Sequence, residues 1–313
     1  MINLFSEELN NPNTKYFIFD TGKHENIDVQ SNVGDIDFER YTWNRKRFNK
    51  VDNGDLFIYR KISNASENKI FYFYGVGKIS DIKEISETLV HGLITKGILF
   101  DDHITRDDLI EIDFLWDSKT KKSKGYERFF NNYGMDQISK KDFVALCALS
   151  FKDEIIAVAD NSDERIQIHN NIEEGQYRVE DQFTSGSKTR GPAQSVFSNK
   201  VRSAYNWECC ISGINTKSLL VGAHIIPWAD NKDTRGDPRN GLCLNMILHK
   251  CFDDGLMSIS ENYTVLVDIS KTTDSVLCEL LDNYSNKKIS LPKNKNYHPL
   301  SEYLRYHRDK HGF

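Results

Sequence analysis

Ala223-His224-Ile225-Ile226-Pro227-Trp228, followed by Arg239-Asn240-Gly241-Leu242 and then His249-Lys250-Cys251-Phe252-Asp253, is the stretch whose reading decides the fold of the C-terminal half. A short turn, Cys210-Ile211-Ser212-Gly213, lies just upstream. His224 ends the apolar run Leu219-Leu220-Val221-Gly222-Ala223, which reads as a strand. His249 and Asp253 are spaced i, i+4 within a stretch of helical pattern, so both side chains leave one face. Hydrolysis of a phosphodiester needs a base to activate water and a cation to stabilise developing charge. A histidine at a strand end can take a proton near neutral pH. A nitrogen-plus-oxygen pair with open positions suits Mg²⁺, Mn²⁺ or another divalent ion. Asn240, on the segment between strand and helix, has the hydrogen-bonding groups to hold that segment and orient the base.

Taken singly, each residue has a blander reading. One histidine on an apolar strand is more often a satisfied core residue, and a His/Asp pair on a helix is more often a solvated face. The order of the three groups, with Pro227 and Trp228 beside the first, favours a built site.

These residues resemble the HNH endonucleases, whose ββα-metal fold sets two strands and a helix around one divalent ion. The similarity is to the subgroup found in bacterial restriction-type nucleases. It is carried by Gln194, Phe197, Tyr205, Cys210, Gly213, His224, Ile225, Pro227, Trp228, Asn240, Gly241, Leu242, His249, Phe252, Asp253 and Gly255, and by the tail Tyr303-Leu304-Arg305-Tyr306-His307-Arg308. The resemblance covers residues 190–313. It implies that His224 is the general base, that Asn240 orients the active-site loop, and that His249 and Asp253 bind the metal. Many members place an Asp or His directly before the base. Here Ala223 stands there, which leaves fewer protein ligands and more water on the ion. Arg235, Arg239 and Arg308 are candidates for phosphate contact through guanidinium forks.

The N-terminal half reads as β-rich from residue 16 to 82. Tyr16-Phe17-Ile18-Phe19 is a short apolar strand. Asp55-Leu56-Phe57-Ile58-Tyr59-Arg60 follows the turn Asp52-Asn53-Gly54, and Phe71-Tyr72-Phe73-Tyr74-Gly75-Val76-Gly77-Lys78-Ile79 is a long aromatic strand whose glycines suit bulges. Close-spaced strands with bends predict a small barrel. Ser139 is the expected N-cap of a helix with Phe143, Leu146, Cys147 and Ser150 on one face. Residues 194–205 read as a second amphipathic helix with Phe197, Val201 and Tyr205 at fourfold steps.

Tyr41-Thr42-Trp43-Asn44, Gly54 to Arg60 and Tyr74 to Ile79 resemble PUA-like barrels, including the EVE and SRA-type readers of modified bases. Tyr133-Gly134-Met135-Asp136-Gln137-Ile138 is similar to nuclease-linked members. The resemblance implies a pocket for a flipped base, with aromatic walls and polar groups to read the edge. Tyr41, Trp43, Tyr59 and Trp116 are the candidate walls; Asp20, Asn44 and Asp55 are the candidate edge readers. Each aromatic has a competing reading as barrel core.

The expected class is therefore α+β, with a PUA-like barrel over 1–165, a polar linker over 166–189 and an HNH nuclease domain over 190–313. The implied substrate is double-stranded DNA carrying modified cytosine or another altered base, cut in restriction as antiviral defence. One such site cuts one strand, so a homodimer is expected for cleavage of both. Two other readings stay open. One is an effector nuclease whose N-terminal domain senses a small signalling molecule; the other is a catalytically inactive nucleic-acid-binding module.

Composition is compatible with these readings. The chain has 313 residues, 39% apolar and 12% aromatic, enough for two cores. Its net charge of −5 is unlike that of a generally basic binder. Screening over roughly 8–10 Å makes charge a local matter, however. Basic clusters occur at Arg40, Arg45, Lys46, Arg47 and Lys50; at Lys119, Lys121, Lys122 and Lys124; and at Lys188, Arg190, Lys200 and Arg202. No run approaches a membrane span, and the first residues carry no secretory pattern, so a cytoplasmic enzyme is expected. The six cysteines include no Cys-x-x-Cys, which favours buried thiols over a structural zinc or a disulfide framework.

Overall fold

The computed structural model describes residues 4–22, 35–46, 48–111, 135–150, 162–184, 187–189 and 191–313. Trp116, the basic cluster at 119–124 and the Tyr133-Gly134 pair lie outside the described residues. The chain forms two compact units, Met1–Asn170 and Asn171–Phe313. The expected linker over 166–189 is in part regular structure. A helix occupies Ser162–Glu173, and two short strands pair at Gln182–Thr184 and Ser187–Thr189.

In the first unit, helix α1 (Ser6–Asn10) precedes strands β1 (Tyr16–Thr21), β2 (Arg40–Asn44), β3 (Leu56–Lys61), β4 (Tyr72–Glu84) and β5 (Leu89–Thr105). Helix α2 (Arg106–Glu111), strand β6 (Met135–Ile138), helix α3 (Lys140–Ser150) and most of helix α4 (Ser162–Glu173) follow among its described residues. The sheet has six strands in the order β2-β5-β4-β3-β1-β6. β1 and β3 run parallel; the other pairs are antiparallel. Among the described residues β2 and β6 are the edges of a sheet that curls into a half-barrel. The curl is placed by register shifts in the β4–β5 pair between Phe73 and Gly75, Val76 and Lys78, and Ile79 and Asp81.

Both faces of the central strands are covered, which is why they lack polar alternation. On one face Tyr16, Ile18, Leu56, Ile58, Phe73, Val76, Ile98 and Phe100 pack with Phe143, Leu146 and Cys147 of α3. The Ser139 side chain caps α3 by accepting from Asp142 N at 3.1 Å, and the buried helix face is the expected one. On the other face Phe19 stacks on Phe57 at 4.5 Å and on Tyr41 at 4.7 Å, and Tyr59 stacks on Tyr74 at 5.3 Å. Burying each such ring stabilises by about 1.5–3 kcal/mol. Arg60 is also fully buried, its Nε and Nη2 donating to Asp20 Oδ1 and Oδ2 at 2.5 and 2.8 Å. That two-pronged pair spans the parallel register Asp20↔Arg60.

The structure places three of the four expected pocket walls inside this aromatic packing. Tyr41, Trp43 and Tyr59 are core. The Tyr41 hydroxyl donates to Asp20 O at 2.8 Å and Trp43 Nε1 to Phe48 O at 3.1 Å, while Tyr59 is fully buried. Asp55 is buried and accepts from Lys15 N and Asp52 N, both at 2.8 Å, closing the turn before β3. The Asn44 side chain accepts from Lys46 N in a local turn, and Asp20 is committed to Arg60. Aromatic and polar residues in short strands read alike whether they line a pocket or fill a two-faced sheet; here they fill the sheet.

In the second unit the strands named above at 182–184 and 187–189 are β7 and β8. They lead into α5 (Gly191–Ala204), β9 (Leu220–His224), β10 (Gly241–Asn245), α6 (Met246–Asp253), β11 (Met257–Ile259), β12 (Val265–Val267), α7 (Ser275–Asp282) and α8 (Ser301–His311). β9 pairs antiparallel with β10, and α6 follows β10 directly, giving a ββα unit. Phe197 and Val201 of α5 are fully buried and Tyr205 nearly so, as the fourfold spacing predicts. No described helix is long and apolar enough to cross a membrane.

Candidate active site

His224 ends β9 opposite Gly241 of β10 and is buried. Its ring stacks on Phe197 with centroids 3.7 Å apart and meets Trp228 edge-on at 5.7 Å. Nε2 lies 2.9 Å from the carbonyl oxygen of Arg235. A carbonyl only accepts, so Nε2 carries a proton and the neutral ring keeps its lone pair on Nδ1.

Between β9 and β10 the chain makes a long excursion that Asn240 gathers from within. Asn240 is fully buried. Its Oδ1 accepts from Ile226 N at 2.8 Å, and its Nδ2 donates to Ile226 O at 3.2 Å and Thr234 O at 3.1 Å. Its own carbonyl accepts from Ile225 N at 2.9 Å. Asp237 starts the turn before it, accepting from Arg239 N at 2.9 Å with Pro238 in the first position.

His249 and Asp253 project together from α6, with Nε2 and Oδ2 3.2 Å apart and the side chains 30% and 49% exposed. α6 is well founded at both ends. Asn245 caps it by accepting from Leu248 N at 3.0 Å, and it donates to Ser212 Oγ at 2.9 Å, tying the Cys210–Gly213 turn to the helix start. At the other end Gly255 takes the left-handed conformation (φ 70°), and a Cβ there would meet the His311 ring at 2.2 Å, so α8 packs directly on the helix exit.

From α8, His307 reaches the same end. Its ring stacks on Phe252 at 3.7 Å; Nε2 donates to Phe252 O at 3.0 Å and Nδ1 accepts from Ser258 Oγ at 2.8 Å. Both ring nitrogens are thus committed in the neutral form. Burial, reinforced by His311, Lys310 and Lys271, pushes its pKa down to about 3. A depressed histidine favours the fold above its unfolded value of roughly 6.5 and loses that contribution as pH falls toward the folded value. We expect melts between pH 7 and 5 to show stability falling with acid, at up to about 1.4 kcal/mol per pH unit from this residue. His307→Gln, which does not titrate, flattens that slope; an unchanged slope would refute the assignment.

The arginines expected at phosphate stand differently. Arg235 is 1% exposed, and its guanidinium is engaged with protein oxygens, so it is part of the frame and not a phosphate fork. Arg239 grips Asp237 through Nε and Nη2 at 2.9 and 2.8 Å. Arg308 donates to Ile259 O at 2.9 Å and to Glu261 at 3.1 Å. Lys200 and Arg202 are buried against Glu173 and Asn199. Asn245, Asp237 and His307 were missed from the sequence as site-building residues. Only Asn245 carried a usable signal there, as a capping residue before an apolar helix.

Five of the six cysteines are buried thiols and Cys278 is half-buried. Among the described residues no group of three or more His, Cys, Asp or Glu is gathered as a metal cage. His249 and Asp253 offer one nitrogen and one carboxylate from a single helix face, open to water. That donor set fits a hard divalent ion that keeps much of its hydration, as Mg²⁺ does.

Residues 209–260 match the family described as HNH endonuclease. These residues form an HNH endonuclease domain. It is a nuclease that hydrolyses DNA phosphodiester bonds. The HNH match runs from the Cys209–Gly213 turn through β9, β10 and α6 to just past β11. No curated protein matches the chain. One solved structure, a "Modification dependent TagI restriction endonuclease", is similar at 10% identity over 95% of this chain and 81% of that one, with a TM-score of 0.27. At that score the likeness carries no argument.

Proposed function

We propose that the protein is a divalent-ion-dependent restriction endonuclease in which His224 is the general base and the N-terminal unit selects DNA by an altered base. The observation that carries the catalytic part is the His224 Nε2–Arg235 carbonyl contact at 2.9 Å, which puts the proton of the neutral ring on Nε2. In this reading Nδ1 takes a proton from water, the resulting hydroxide attacks phosphorus, and the bond to the leaving sugar oxygen breaks. His249 and Asp253 hold the ion. When bound, the ion supplies Lewis-acid stabilisation of the charge that builds on the phosphate and the leaving oxygen. Asn240 keeps the segment that bears the Arg235 carbonyl in place. The partly exposed Arg239 and Arg308 belong to the nuclease unit, where exchange of a carboxylate partner for phosphate is chemically matched. Two copies acting together would break both strands.

Selection by an altered base is supported by the division of the chain into a nuclease unit and a separate sheet unit, and by the likeness of that sheet's sequence to modified-base readers. The deciding experiment is a cleavage screen with Mg²⁺ over plasmids carrying unmodified, methylated, hydroxymethylated or glucosylated cytosine. We expect cleavage only of one or more modified plasmids. Equal cutting of all would sink the selection while leaving the nuclease. No cutting of any, with Mg²⁺ or Mn²⁺, would favour an effector that awaits a small signalling molecule.

A further inference from the structure

Arg235 is among the largest fully buried side chains of the protein, yet it lies on a connection that reads as an ordinary turn. Its Nε donates to Trp228 O at 2.8 Å, its Nη1 donates to Val179 O at 2.9 Å, and its Nη2 lies 2.9 Å from Asp181 Oδ1. The guanidinium also sits 4.7 Å from the centre of the Trp228 ring. Its own carbonyl is the acceptor for His224 Nε2. One residue therefore presents the contact that orients the base and is itself fixed from several sides.

Two of those sides belong to an extended strap at 177–181, in which Tyr177 and Val179 are half-buried and Arg178 and Glu180 exposed. The strap runs beside residues 232–236: Gly236 N donates to Tyr177 O at 2.8 Å and Val179 N to Lys232 O at 3.1 Å. Its outward side chains close the edge, Arg178 on Asp233 at 2.6 Å and Lys232 on Glu180 at 2.8 Å. A Cβ at Gly236 would stand 3.0 Å from Tyr177 O, so the strap and the base-bearing connection meet without room for a side chain.

We propose that Arg235 is a positioning residue for His224, and that the 177–181 strap, acting through its guanidinium, holds the carbonyl against which the base works. This rests on the reading of His224 as the base. When Nδ1 takes a proton the ring becomes an imidazolium, and the Nε2–H bond to the carbonyl becomes charge-assisted and stronger. The contact is thus worth more in the transition state than in the ground state, which is the condition for raising kcat. Lysine cannot replace the fork, because one ammonium does not serve acceptors on two separate segments in a fixed plane.

The test uses the full chain with Mg²⁺ and the best-cut plasmid, comparing wild type, Arg235→Lys and Asp181→Asn. It reads kcat and KM, and the imidazole nitrogens of His224 by NMR. Arg235→Lys is expected to lower kcat about ten- to a hundredfold, with KM within roughly twofold as for a group that does not bind the ground state, and to weaken the downfield Nε2–H signal. Asp181→Asn follows the same pattern with a smaller loss and carries the test should Arg235→Lys not fold. A rise in KM with kcat intact would overturn the proposal in favour of direct DNA contact. So would a fall in kcat with the His224 signals unmoved. Full activity in His224→Ala would instead defeat the base reading, whatever the arginine variants do.

Discussion

His224→Ala is expected to lower kcat for DNA cleavage by about 10²–10⁴-fold, the range a positioned general base contributes, while the protein binds DNA and folds as before. The expectation follows from geometry. The ring stacks on Phe197 and meets Trp228 edge-on, so its orientation is fixed by packing, and its proton is fixed on Nε2 by a main-chain acceptor. Truncation leaves the frame standing, because Phe197 and Trp228 are also held elsewhere in the core. It removes the Nδ1 lone pair together with the stacking on Phe197 and the Nε2–H bond to the Arg235 carbonyl. The check is single-turnover cleavage with Mg²⁺ alongside a DNA-binding measurement; unaltered cleavage would show that the base lies elsewhere.

Asn240→Ala is expected to strike fold and activity together. The side chain serves the amide and carbonyl of Ile226 and the carbonyl of Thr234, all in the buried connection between β9 and β10. Leaving one buried amide unsatisfied costs about 1–3 kcal/mol, and two carbonyls lose their donor as well. We expect a loss of about 3 kcal/mol in urea unfolding, with cleavage reduced in the folded fraction because the Arg235 carbonyl loses its register. Asn240→Asp separates the two halves of the role. A carboxylate still accepts from Ile226 N, but it faces two carbonyl oxygens with no proton to give, so it is expected to rescue little. Wild-type stability in Asn240→Ala would remove the clamp from the account.

The nuclease unit was legible because its signals are local and mutually constraining. A strand pattern ends on His224, a capping Asn245 opens α6, and an i, i+4 pair sits on that helix. Each fixes a direction for a side chain before any tertiary contact is known. Arg235 was misread because charge suggests a surface and phosphate; its burial depends on a strap more than fifty residues upstream in sequence, which no local pattern reveals. The N-terminal sheet was half legible. β1, β3 and β4 were read, but β5, the longest strand, was not, because its bulges against β4 break the period-2 alternation. The aromatics there were assigned to a pocket on the resemblance to modified-base readers. When a sheet is covered on both faces, residue type no longer distinguishes lining from filling.

The pair on α6 has a consequence for how the enzyme lives with its metal. That helix is held by the Asn245 cap, the buried Leu248, Cys251 and Phe252, and the neutral His307 beneath its exit. His249 and Asp253 stand on the outside of this support and take no part in it. Zinc-folded modules spend the ion's binding energy on folding and collapse without it. If His249 and Asp253 bind the ion as proposed, occupancy and architecture would be uncoupled here. Scarcity of divalent ions would idle the nuclease without unmaking it, leaving a finished frame that regains its competence when the ion returns.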